Sequence, residues 1–234
     1  MPDERIKDMI ALAMRQRPKT AKQVKVLEEA ERHADRLRAV QDRPGCLIVA
    51  LDVEVNEDNH TQILEIGLTF GTYLPQSQQY AVLSTHYINQ DLECVRNSKH
   101  VADNKYGYVY SDSTFVKNAE LIPVVHVAVE ESTCRSLGGI IIGHTIQSDL
   151  KWLKAAGLEL QGDGTIFCDI AMVEQSITSN YEREGLEKIA GRYGVEIKGI
   201  KGPGSWHNAG NDARATWDIA IKQLERLIGV KSVS

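Results

Sequence analysis

Residues 46–54 read Cys46-Leu47-Ile48-Val49-Ala50-Leu51-Asp52-Val53-Glu54. The continuous apolar run through Leu51 has strand length, and such a run predicts a central strand buried on both faces. Two acids separated by one residue follow at once. In a strand, positions i and i+2 point to the same face, so Asp52 and Glu54 are expected to project together at the end of a buried strand. Two like charges side by side and desolvated are costly unless protons or a cation compensate them. A divalent cation with oxygen ligands is the natural compensator. The alternative is that the strand has already ended and both acids are solvated.

Working outward, residues 63–70 and 81–88 read as two further strands. The polar joints between them (Asn56, Asp58 and Asn59, then Gly71 and Pro75) favour an antiparallel meander. Residues 89–114 are polar and irregular, too long for an ordinary connector, and read as an insertion. A helix from about 123 to 135 is expected, with strand as a competitor because of its valines. A short buried strand at 140–142, a helix at 147–156, a strand at 165–170 and helices at 170–178 and 186–193 follow. A glycine-rich loop, 198–205, with lysines at 198 and 201, reads as a candidate lid before a last helix at 208–228. Before Pro44-Gly45, residues 3–17 and 20–41 read as helices, broken by Pro18 and capped by Thr20. Their expected role is a helical arm, packed on the domain, offered to a partner or second copy, or used as a basic nucleic-acid arm. Three strands followed by alternating helices and strands predict an α/β fold with a mixed sheet. The expected division is an arm over 1–43 and a domain over 44–230.

Composition narrows the classes. The chain has 234 residues, 42% of them hydrophobic, and a net charge of −5. It can bury a sizeable core, and its charge argues against a broad nucleic-acid coat. Residues 1–43 are net +3, which leaves −8 on the remainder. No apolar run reaches the length of a transmembrane helix, and the mixed charges at the N-terminus predict no secretory signal. Cys46, Cys94, Cys134 and Cys168 form no CxxC pair. They read as reduced thiols, which points to a cytoplasmic or nuclear setting.

Two more acidic motifs stand in comparable places. Gly143-His144-Thr145-Ile146-Gln147-Ser148-Asp149 follows the second buried run, so Asp149 falls in the first turns of a helix. A purely electrostatic role at the helix start is the alternative. His207-Asn208-Ala209-Gly210-Asn211-Asp212-Ala213 opens the last helix, where His207 can lie beside a site that Asp212 helps to build; Asn208 is a candidate cap. Asp91-Leu92-Glu93 repeats the D-x-E spacing, and His86 with Asp91 repeats H-x4-D. Both lie at the entry to the polar insertion rather than after a buried run, and read as decoys.

D-x-E, then G-H-x4-D, then H-N-A-x2-D-A resembles the DEDDh group of 3′→5′ exonucleases, the family of ribonuclease T and polymerase proofreading subunits, over residues 46–228. Ile63-Leu64-Glu65-Ile66-Gly67 is similar to that family's second strand. Arg96-Asn97-Ser98-Lys99-His100-Val101-Ala102-Asp103-Asn104 is similar to a segment of a fungal branch, some of whose members act beside Argonaute in RNA silencing. The resemblance implies a ribonuclease-H-like fold, in which Asp52, Glu54, Asp149 and Asp212 hold two Mg²⁺ or Mn²⁺ ions. Asp52 would bridge both, Glu54 and Asp212 would complete the ion on the nucleophile side, and Asp149 would serve the other. His207, ordinarily titrating near pH 6.5, would deprotonate the attacking water.

The implied activity is release of nucleoside 5′-monophosphates from the 3′ end of single-stranded nucleic acid, RNA favoured over DNA through the fungal similarity alone. A nuclease-like module that binds nucleic acid or protein without cutting is the alternative. A protein partner for the arm, of the Argonaute pathway, is a further expectation; a membrane is not. Trp206 and His144 are candidate substrate contacts, against the readings that Trp206 packs on the domain and His144 bonds to backbone. Tyr106, Tyr108 and Tyr110 alternate and read as an edge strand or a stacking strip.

Overall fold

The computed structural model describes residues 20–43, 45–74, 79–100, 102–134, 139–160, 166–197 and 206–229, with backbone alone over 131–134. The expected helix over 3–17 and the glycine-rich segment 198–205 lie outside the described residues. Six strands form one sheet: β1 (Ile48–Asn56), β2 (Asn59–Leu74), β3 (Gln79–Asn89), β4 (Thr114–Val116), β5 (Ile140–Gly143) and β6 (Ile166–Asp169), in the order β4-β3-β2-β1-β5-β6. β1, β2 and β3 make the antiparallel meander, whereas β5 runs parallel to β1 and β6 parallel to β5. Helices cover both faces, which makes this a ribonuclease-H-like mixed α/β fold.

The helices are α1 (Ala21–Arg38), α2 (Asn118–Cys134), α3 (Ile146–Ala155), α4 (Ile170–Thr178), α5 (Leu186–Tyr193) and α6 (Ala209–Leu227). Alternation along β1 splits the core. Val49, Leu51 and Val53 pack with Leu121 and Val125 of α2 and Leu153 of α3. Ile48 and Ala50 pack with α4, α5 and α6. α2 begins at Asn118 rather than near Pro123: the Asp91 carboxylate accepts the Asn118 N–H at 2.9 Å, and Pro123 is accommodated inside the helix. Asp91 of the decoy motifs is therefore a helix-terminus partner.

α6 lies along β2 on two glycines. A side chain at Gly67 would meet the Ala209 carbonyl, and one at Gly71 the Trp217 ring. Gly67 to Gly71 spans about 13 Å of strand and Ala209 to Trp217 about 12 Å of helix, so helix and strand run alongside each other. The start of α6 is thereby placed over the second half of β1.

α1 docks on the open edge of β6. The edge-strand carbonyl of Phe167 accepts from Arg36 at 3.2 Å, and the Asp169 N–H donates to His33 Nδ1 at 2.9 Å. Ala30, Ala34 and Leu37 are buried. Thr20 and Gln23 form a reciprocal capping box at the helix start. Burial, chiefly, and the nearby Arg36 hold His33 below the ordinary histidine pKa, in keeping with a ring nitrogen that must accept. A histidine whose folded pKa is depressed contributes stability that is complete above about pH 6.5 and is lost as pH falls towards the folded value. His33→Leu, which orphans the Asp169 N–H, is expected to cost about 1–3 kcal/mol at pH 7.5. In thermal unfolding the gap to wild type should narrow between pH 7.5 and 5.5; a constant gap would rule out this role.

Candidate active site

β1 does not end after Leu51 but continues through Asn56. Ile48, Ala50, Asp52 and Glu54 therefore share the face that α6 covers. Asp52 stands opposite Gly67 in the register with β2, and Ala209, at the start of α6, lies against that glycine. The first turn of α6 thus brings Asp212 to the two strand acids. A carboxylate oxygen of Glu54, a ring nitrogen of His207 and a carboxylate oxygen of Asp212 lie within 4.8 Å of one another.

Asp149 arrives from the opposite flank. β5 pairs with β1 only over Ile48–Ala50, so the β1 edge beyond it lacks a parallel neighbour. α3, which follows β5, fills part of that edge: Asp149 Oδ1 accepts the N–H of Val53, the residue between the two strand acids, at 3.2 Å. The site sits just beyond the point where the parallel neighbour β5 leaves β1, with antiparallel β2 on the other side, the kind of crevice at which α/β sheets bind ligands.

The four carboxylates are poorly compensated. Burial, first, raises the pKa of Asp52, with further upward pushes from Asp212, Asp149 and Glu54. Burial and then Glu65 do the same to Glu54. Asp149 is raised by burial despite the Val53 N–H. Burial pushes Asp212 up to about 7, against the His207 N–H that its Oδ2 accepts at 3.0 Å. Its other oxygen, Oδ1, is buried without a hydrogen-bond partner. Among the described residues, no lysine or arginine pairs with any of the four. Converging hard oxygens, one of them orphaned, fit a divalent cation.

Several residues that support this site were not singled out in the sequence. Glu65, opposite Glu54, is 3% exposed, and its Oε2 lies 2.9 Å from His86 Nε2. His86, a member of a decoy motif in the sequence, is buried against Glu65, with Ser113 Oγ on its other nitrogen at 2.8 Å. An acid on the buried face of the apolar run 63–70 was the available signal. Asn208, by contrast, is the cap of α6 that the sequence predicts, accepting the Asn211 N–H at 3.0 Å. Asp169 Oδ1 accepts the N–H of Thr145 at 3.1 Å and of Ala171 at 3.0 Å. It thereby holds Thr145 in a left-handed conformation (φ 62°) at the start of α3, just before Asp149.

The substrate candidates fare differently from the acids. Trp206 is only 9% exposed and belongs to the core cluster that α6 helps to form. A ring nitrogen of His144 lies 2.8 Å from the Glu184 carbonyl, which joins the β5–α3 turn to the α4–α5 loop. Tyr106, Tyr108 and Tyr110 form no strand. Tyr108 packs against His86, Tyr110 lies beneath Arg214, and Tyr106 is exposed beneath Arg96. Hydrogen bonds to α6 from the segment that carries them replace those of a strand. Cys46, Cys94 and Cys168 are free thiols.

A mixed sheet of this order, with Glu54 of β1 and Asp212 of α6 gathered beside His207, and with Asp149 of α3 bonded to the backbone between the two β1 acids, defines a nuclease-like domain. Residues 47–223 match the DEDDh family described as "DNA polymerase III subunit epsilon-like, C-terminal domain", and the chain belongs to that family. It is 25% identical to the Saccharomyces cerevisiae protein named Good for full DBP5 activity protein 2, over 74% of this chain and 34% of that protein. It is 22% identical to an uncharacterised nucleolar protein of Schizosaccharomyces pombe, over 77% of this chain and 70% of the relative. The chain thus spans about a third of the length of the first relative and about two thirds of the second. Among solved structures, the RNase domain of the yeast Pop2 protein aligns with a TM-score of 0.43 at 11% identity, over 86% of this chain and 84% of that one. No helix among the described residues is long and apolar enough to cross a membrane.

Proposed function

We propose that the chain is a divalent-metal-dependent 3′→5′ exonuclease that releases nucleoside 5′-monophosphates from single-stranded nucleic acid, with RNA favoured over DNA. The observation that carries this reading is the meeting of Glu54 and Asp212 with the exposed His207, beside which the under-compensated carboxylates of Asp52 and Asp149 are buried. Asp52, Glu54, Asp149 and Asp212 would hold two Mg²⁺ or Mn²⁺ ions. Such ions, when bound, supply the positive charge that activates water and steadies the leaving oxygen of an in-line displacement.

The side chains do the rest. His207 reaches the site from an exposed turn, and its imidazole nitrogen takes the proton of the attacking water. The Asp212 carboxylate, through His207 N–H, keeps that turn against the site. The nucleolar placement of one relative, in an RNA-rich compartment, supports the preference for RNA.

The test pairs 3′-labelled oligonucleotides with 3′-blocked ones, as RNA, DNA and duplex, in Mn²⁺ or EDTA. Stepwise loss of the label in Mn²⁺ alone, with the blocked strand intact, is the expected result. Internal cuts in the blocked strand would indicate an endonuclease. Binding without any cleavage in Mn²⁺ would overturn the proposal in favour of a non-cleaving module.

A further inference from the structure

The polar insertion has a job that its irregularity concealed. It ties the strand that bears Asp52 and Glu54 to the helix that bears Asp212. At its outer end it grips the β1–β2 turn. Asn97 Nδ2 donates to Val55 O at 2.8 Å, Asn97 Oδ1 accepts the Glu57 N–H at 3.0 Å, and the Glu57 carboxylate accepts the N–H groups of Ser98, Lys99 and His100 at 2.8, 2.6 and 3.0 Å. At its centre, the buried Lys105 ammonium donates to the carbonyls of Val95, Glu93 and Leu92 at 2.7, 3.3 and 3.5 Å. That internal cation folds the segment into a compact loop.

The inner end meets the start of α6. Asn208 Nδ2 donates to the carbonyls of Asn104 and Lys105, both at 3.1 Å. Asn211 Nδ2 donates to Gly107 O at 2.9 Å, and Val109 N–H donates to Asn211 Oδ1 at 3.2 Å. Asn104 Nδ2 donates to Trp206 O. That last bond matters most, because Trp206 C=O and His207 N–H belong to the same peptide unit. Asn104 pins one end of it and Asp212 Oδ2 the other. His207 itself has φ 63°, a left-handed conformation that side-chain-bearing residues adopt only when their surroundings impose it.

We propose that this segment is a clasp that sets the orientation of His207, with Asn104 as its positioning residue. The clasp's role in turnover rests on the reading of His207 as the base, whereas the orientation itself does not. Asn104→Ala frees the carbonyl end of the peptide while leaving the four acids and their supporting hydrogen bonds in place. The expected outcome is a fall in kcat of at least about tenfold, since misplacing a reacting group by an ångström costs rate on that scale. KM and the affinity for Mn²⁺ alone, measured by calorimetry, should stay within about twofold, and Asn104→Gln should recover part of the rate. Lys99→Ala, which removes only the outward contact with Asp58, should leave kcat at the wild-type level.

A second readout needs no turnover. In metal-free protein with labelled histidine, the His207 imidazole resonance, assigned by its loss in His207→Gln, should shift or broaden in Asn104→Ala. An unchanged resonance overturns the clasp whether or not the wild type cleaves. Unchanged kcat in an active enzyme, or Mn²⁺ affinity falling in step with kcat, overturns it as well. If the wild type is inert towards every substrate, the nuclease reading fails on its own and the resonance still decides the clasp.

Discussion

Asp212→Asn is expected to lower the rate of nucleotide release at least about a thousandfold and, in the same protein without metal, to raise the melting temperature. The two effects share one cause. Asn keeps the oxygen that accepts the His207 N–H but removes a charge from a crowded, buried cluster. Asp212 titrates near 7 in the folded chain against about 3.9 unfolded. Between those values the folded state holds more protons than the unfolded one, so this group makes metal-free stability fall as pH rises from about 4 to 7. Above pH 7 the burden is complete, with an upper bound of about 4 kcal/mol, and neighbouring acids share in it. Asp212→Asn should therefore melt several degrees above wild type at pH 8, and the advantage should shrink at pH 5. Mn²⁺ at a hundredfold over its dissociation constant should stabilise wild type by about 2.7 kcal/mol and the variant by much less. A lower melting point for the metal-free variant at pH 8, or equal stabilisation of both proteins by Mn²⁺, would refute the cluster as a cation site.

Gly67→Ala is the second large effect. A Cβ there would lie 1.9 Å from the Ala209 carbonyl oxygen and 2.6 Å from Gly210 N, both main-chain atoms. No side chain can swing away, so α6 itself has to move. Overpacking against main chain at the centre of a sheet is expected to cost about 3 kcal/mol, or roughly 6–12 °C in melting temperature for a domain of this size. Because Gly67 faces Asp52 and α6 carries Asp212, the shift should separate the acids and reduce turnover even at temperatures where the variant is folded. Gly191→Ala in α5 is the control. Beyond its own helix backbone and chain neighbours, no atom lies within 4 Å of its added methyl group, and an alanine inside a helix should stabilise by about 0.5–1 kcal/mol. A Gly67→Ala protein as stable as wild type would mean that α6 does not press on β2.

The acids were legible in the sequence for physical reasons. Asp52 and Glu54 follow an apolar run and share its parity, and Asp149 and Asp212 each fall in the first turn of a helix that is amphipathic by its own spacing. Local chain geometry was enough to place each of them at the end of an element. The supporting residues were not legible in that way. Glu65 has no acidic neighbour in sequence that marks it as special, and its partner His86 is twenty-one residues away on another strand. Lys105 looks like any surface lysine until three carbonyls from residues 92–95 close around its ammonium. Trp206 sits beside His207 and invited a stacking role, yet whether an aromatic faces solvent or core depends on the helix packed over it.

The order of buried strands, the amphipathic helices and the acids at their ends were determined by the sequence alone, because each depends on neighbours a few residues away along one chain segment. Tertiary structure decided which of those ends meet, how the insertion grips α6, and the left-handed turn at His207. Those outcomes depend on contacts such as Gly67 against Ala209 and Asn104 against Trp206, between residues more than a hundred positions apart, which no local spacing encodes.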